Sequence, residues 1–131
     1  MRQFASGAVD ARGIDTKGWT TQHWVRFLRA VPADLPQGRL GELDAAFALT
    51  RVGNSDVLTE WLLVAIHHDY APAYPRLASF LTEVGRRKYV RPLYNELAKS
   101  AAGKQRARDI YAVAGPHYHT ITRRMVEEIL K

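Results

Sequence analysis

Apolar residues in this chain return every three or four positions and almost never every second one, which leaves helices as its main building material. The stretch "TTQHWVRFLRAV" places Trp24, Phe27, Leu28 and Val31 at i, i+3, i+4 and i+7, the spacing of one helix face. No alternating run flanked by hairpin turns occurs along the sequence, so strands have little to start from. The expected fold class is all-α.

Breaks divide the pattern into segments. Thr20 or Thr21 is placed to cap the first helix, and the two prolines of "VPADLPQG" end it. A second helix is expected over 38–50, with Leu40, Leu43, Phe47 and Thr50 on one face. Ser55 is the expected cap of "DVLTEWLLVAIHH", which is apolar nearly all round and so the most buried helix. A fourth begins around 71–75, carries Leu77, Phe80, Leu81 and Val84, and ends with Gly85 as a left-handed C-cap. A fifth takes Pro92 in or near its first turn and runs to about residue 100, burying Leu93 and Leu97. A sixth over 104–114 packs Ile110 and Val113; after "GPHYH" a last helix packs Ile121, Met125, Ile129 and Leu130. Residues 1–18, punctuated by Gly and Asp, read as a flexible lead-in or the remnant of a preceding helix, and 19–131 as one helical domain. Helices this short, joined by short loops, pack against their neighbours as hairpins. A row of such hairpins is a two-layer α–α superhelix of the armadillo or HEAT sort; a compact bundle is the alternative.

Composition sets limits. At 131 residues, 47% hydrophobic and 24% charged, the chain is one ordinary globular domain. It has no cysteine, which rules out disulfides and thiolate metal sites and fits a reducing compartment, with the cytoplasm favoured. The first eighteen residues lack the apolar core of a signal peptide, and no run reaches the ~18 apolar residues of a membrane helix. Nineteen basic residues against thirteen acidic ones give a net charge of +6 and point to an anionic partner of some kind.

Catalytic motifs are missing. There is no His-Glu-x-x-His, which would set two imidazoles on one helix face with a glutamate beside the bound water. His67 and His68 are adjacent, so on a helix they point about 100° apart, and a structural role is expected. His117 and His119 supply two metal ligands at most, too few for a site. The aromatics Trp19, Trp24, Trp61, Phe27, Phe47 and Phe80 fall at core spacing rather than forming platforms for bases. What stands out is "GRRKYVRPLYNEL", with Arg86, Arg87, Lys88 and Arg91 within six positions. These cations could be solvated charges favoured by the dipole of a helix that has just ended. They could join Lys104, Arg106, Arg108, Arg123 and Arg124 in a nucleic-acid face. They could equally grip one small anion. Spacing alone does not choose.

Further residues do. Asn54-Ser55 opening a helix, Trp61 within it, Gly85-Arg86, Lys88, Arg91-Pro92-Leu93 and Leu97-Ala98 resemble the C-terminal helical domain of the leukotriene A4 hydrolase and aminopeptidase B group of zinc aminopeptidases. Tyr111, His119 and Thr122 in "RARDIYAVAGPHYHTITRRMV" continue the resemblance, which spans about residues 14–130. It implies a two-layer helical domain packed on a thermolysin-like catalytic domain of the same polypeptide, which carries the zinc; this chain itself would hold no cofactor. It also implies that Arg86 is the main anchor for the free carboxylate of a peptide substrate, with Lys88 as helper. Arg87 departs from the family, where that position is usually uncharged. On this reading the chain lacks the family domain's first helix and is a fragment, inactive alone. The resemblance leaves a nucleic-acid partner disfavoured and a membrane partner unexpected. A free-standing helical scaffold for protein partners is the rival reading.

Overall fold

The computed structural model describes residues 1–7 and 10–131. Eight α-helices run through them: α1 Arg2–Ala5, α2 Thr21–Arg29, α3 Gln37–Phe47, α4 Ser55–His67, α5 Tyr74–Glu83, α6 Arg87–Leu97, α7 Ala101–Ala114 and α8 Thr120–Ile129. No strand occurs among the described residues, so the chain is all-α as its spacing predicts. None of the described helices is long and apolar enough to cross a membrane. The chain divides into two compact units, Met1–Ala71 and Pro72–Lys131.

In the first unit α2 packs on α4. Thr20 caps α2: its hydroxyl accepts the His23 N–H, and His23 Nδ1 accepts the Thr20 N–H at 3.0 Å, a reciprocal pair that satisfies two end donors. Asn54, rather than Ser55, caps α4, because its side chain accepts the N–H groups of Asp56 and Val57 at 2.9 and 3.1 Å. The expectation that α4 is the most buried helix is met: Val57, Leu58, Thr59, Trp61, Leu62 and Ala65 all lie inside. The α3 helix does not reach residue 50. Ala48 turns left-handed (φ 51) and ends it, freeing Thr50 to bond elsewhere. The Asp44 carboxylate accepts the Thr50 N–H at 2.9 Å, the Thr50 hydroxyl at 2.7 Å and the Tyr70 hydroxyl at 3.0 Å. Trp61 Nε1 donates to the same Thr50 oxygen at 3.1 Å. Near the N-terminus Phe4 and Ala11 are buried, the Arg39 guanidinium lies 4.0 Å from the Phe4 ring centre, and the Ala11 N–H reaches Glu42 at 3.3 Å. These contacts hold two points of the expected lead-in against α3.

In the second unit α5 packs on α7, α6 on α8, and α6 on α7, so helices two apart in sequence share a layer. Leu77, Leu81, Val90, Leu93, Tyr94, Ala107, Ala114 and Val126 fill the space between them and are fully buried. Ser100 caps α7 through the Gly103 N–H at 3.0 Å, which starts that helix three residues before the expected position.

Three expectations fail here. Gly85 is not left-handed; α5 ends at Glu83 with Val84 extended (φ −108, ψ 121). Pro92 lies inside α6 rather than at its start, although a proline within a helix removes a hydrogen bond and costs about 3 kcal/mol. The turn gained ahead of it buries Tyr89 and Val90, each worth roughly 1.5–3 kcal/mol, and that outweighs the proline. Finally, Val113 and Ile121 are 63% exposed. Ile110 and Leu130 are buried as expected, and the rest of the inward faces of α7 and α8 runs through Ala107 and Ala114, and through Thr122 and Val126.

Candidate functional site

The cationic block follows the end of α5 at Glu83 and at the same time opens the next helix. Arg86 is the N-cap of α6 (φ −70, ψ 125) and its side chain makes no capping bond, while Arg87 and Lys88 are the first two helical residues. No acidic residue stands in that first turn. The N-terminus of a helix carries about half a positive charge, so each cation there is disfavoured by roughly 0.3–1 kcal/mol instead of being stabilised. The dipole of α6 therefore opposes the stabilisation that the sequence reading drew from the end of the preceding helix. Like charges gathered on a positive helix end favour an arriving anion.

The block is held by what lies beneath it. The Tyr89 ring is buried, 6.0 Å from the Phe80 ring. The Arg86 guanidinium carbon lies 5.6 Å from the Tyr89 ring centre and Lys88 Nζ 5.4 Å from it, both within cation–π range. The structure thus brings together the two residues picked out for carboxylate binding, on one ring. Both remain exposed to solvent.

Two buried hydrogen-bonding groups tie the bend to the helices behind it. The Tyr118 hydroxyl donates to the Leu81 carbonyl at 2.5 Å and lies 3.2 Å from the Tyr94 hydroxyl. The Thr122 hydroxyl donates to the Gly85 carbonyl at 3.4 Å. Burial pushes both the Tyr94 and the Tyr118 phenols up from their ordinary range, so both keep their protons. Beside the bend lies an open cleft of about 510 Å³ lined by Gly85, Arg86, Arg87, His119, Ile121 and Thr122. Spacing did not forecast this lining. Arg87 joins Arg86 in the cleft and Lys88 does not, and Ile121, expected in the core, forms part of its wall.

The other residues weighed from sequence have local duties. His68 Nδ1 lies 2.8 Å from the Val64 carbonyl and Nε2 3.0 Å from the Pro32 carbonyl, so each ring nitrogen faces a backbone oxygen. His117 and His119 flank the buried Tyr118 and are exposed. Among the described residues no group of three His, Asp or Glu side chains could hold a metal ion. The aromatics pack on one another: Trp24 lies 4.7 Å from Trp19 and 5.2 Å from Phe47. Of the cations that might have extended a nucleic-acid face, Lys104 and Arg108 donate to the carbonyls of Lys131 and Leu130, and Arg106 lies 3.9 Å over the Tyr74 ring.

By fold and surface charge the described residues make an all-α class of domain with a cationic corner beside an open cleft. Comparison with known proteins narrows this class. The family model described as "Leukotriene A4 hydrolase, C-terminal" matches residues 19–130, and the chain belongs to that family. Leucine aminopeptidase 2 of Neurospora crassa is 32% identical over 121 residues, covering 88% of this chain and 18% of its own length. Its counterpart in Pyricularia oryzae is 31% identical, covering 98% of this chain and 21% of its own length. The chain thus spans about a fifth of the curated relatives it matches. The structure of native yeast LTA4 hydrolase superposes with a TM-score of 0.77 at 23% identity, over 95% of this chain and 22% of that one, and shares its fold.

Proposed function

We propose that this chain is the C-terminal domain of a zinc-dependent aminopeptidase. Its role is to shape one wall of the substrate cleft and to anchor the free carboxylate of a peptide. The catalytic domain, with its zinc, is assigned to another part of the same polypeptide, so the 131 residues alone hydrolyse nothing. Arg86 is the principal anchor, since a guanidinium can meet both carboxylate oxygens at once; Lys88 adds a second charge nearby. Fixing the far end of a peptide positions its N-terminal residue at the metal, which is how remote binding energy assists chemistry.

The observation that carries this reading is the acid-free first turn of α6, where Arg86 and Lys88 share the Tyr89 ring. The relatives named leucine aminopeptidase support it from outside. The test is Arg86→Ala in the full-length enzyme. Losing a charge-assisted hydrogen bond is worth about 1.5–3 kcal/mol, so kcat/KM for small peptides should fall about tenfold or more. An unchanged kcat/KM removes Arg86 from the role.

A further inference from the structure

We propose that Arg87 is a specificity residue of the same cleft, taking a second negative charge beside the terminal carboxylate, so that peptides ending in Asp or Glu are preferred. This rests on the reading of the cleft as the far end of a peptide site.

One carboxylate is matched by one guanidinium through two parallel hydrogen bonds. The cleft lining holds two guanidiniums, Arg86 and Arg87, and no carboxylate. Behind them is the start of α6, whose first N–H groups have no carbonyl within the helix to bond. Once a terminal carboxylate sits on Arg86, the adjoining Arg87 still carries a full positive charge facing the same space. A ligand with a single charge leaves that charge uncompensated; a ligand with two neutralises both. A C-terminal Asp or Glu provides the second carboxylate a few bonds from the first. Lys88 does not line the cleft, so the second charge falls to Arg87. The competing influence is Ile121, 63% exposed on the same wall, which would favour an aliphatic final residue.

The experiment compares kcat/KM of the full-length enzyme on two tripeptides that differ only in a final Glu or Gln, which have similar shape and unlike charge. Wild type should prefer the Glu peptide by about fivefold at low salt, the scale of one exposed ion pair, and by less at high salt. Arg87→Gln should bring the ratio close to one, with the loss falling mainly on the Glu peptide. Arg86→Gln should lower both peptides by a similar factor. No Glu preference in wild type overturns the proposal, as does a ratio that survives Arg87→Gln. A third tripeptide ending in Leu that wild type cleaves faster than the Glu peptide also overturns it. If Arg86→Gln is silent while Arg87→Gln abolishes the ratio, the anchor assignment fails and the role of Arg87 stands.

Discussion

Replacing Tyr118 by phenylalanine removes a single oxygen from the interior of the second unit, and the hydrogen-bond geometry around that oxygen sets the cost. The Tyr118 side chain is 5% exposed and that of Tyr94 is fully buried. The single Tyr118 proton is committed to the Leu81 carbonyl at 2.5 Å, so across the 3.2 Å gap it is Tyr94 that donates. Tyr118→Phe therefore strands a buried donor on Tyr94 and takes a donor from a buried carbonyl. At roughly 1–3 kcal/mol for each of the two unsatisfied groups, the loss should be about 2–6 kcal/mol. Tyr94→Phe leaves the bond to Leu81 intact and should cost only about 0.5–1.5 kcal/mol. In the double variant no donor is stranded, so its loss should be smaller than the sum of the two. Urea unfolding followed by far-ultraviolet circular dichroism measures all three. If Tyr94→Phe proves as damaging as Tyr118→Phe, the direction of the chain from Tyr94 through Tyr118 to Leu81 is wrong. The site is at stake as well, because Leu81 lies one turn before the bend that carries Arg86.

Local geometry fixes the sign of three other outcomes. At Gly103 a Cβ would overlap the Leu97 carbonyl and crowd the capping Ser100 hydroxyl. Gly103→Ala should therefore lower stability by about 1–3 kcal/mol, although alanine is the better helix former; a raised melting temperature would contradict this. Ala48 is exposed and left-handed at φ 51, so Ala48→Gly should raise stability by about 1 kcal/mol in the same unfolding assay. Burial, and then the bond to Asp44, push Tyr70 up to about 12 from 10.0. A raised folded pKa means this contribution is whole below pH 10 and is lost as pH climbs toward 12. Alkaline titration should show loss of helix across that window, and Tyr70→Phe should make the loss shallower, leaving the part due to Tyr94 and Tyr118.

The sequence by itself determined that the chain is helical, where most breaks fall, that the segment containing Trp61 is the core helix, and that the charge of interest is gathered after Gly85. These are local properties: three- to four-residue spacing, a capping Thr20 and a run of basic side chains act over a few positions. Tertiary structure decided the rest. It set the phase of α7 and α8, turning Val113 and Ile121 outward, because burying Ala114 and Val126 against partners far along the chain fixes how each helix is rotated. It began α6 at Arg87 despite Pro92, because Tyr89 and Val90 gain more by burial than the proline loses. That one choice put the cations on a positive helix end and directed Arg87 into the cleft. Helix ends and rotations answer to non-local packing, which spacing along a single chain does not contain.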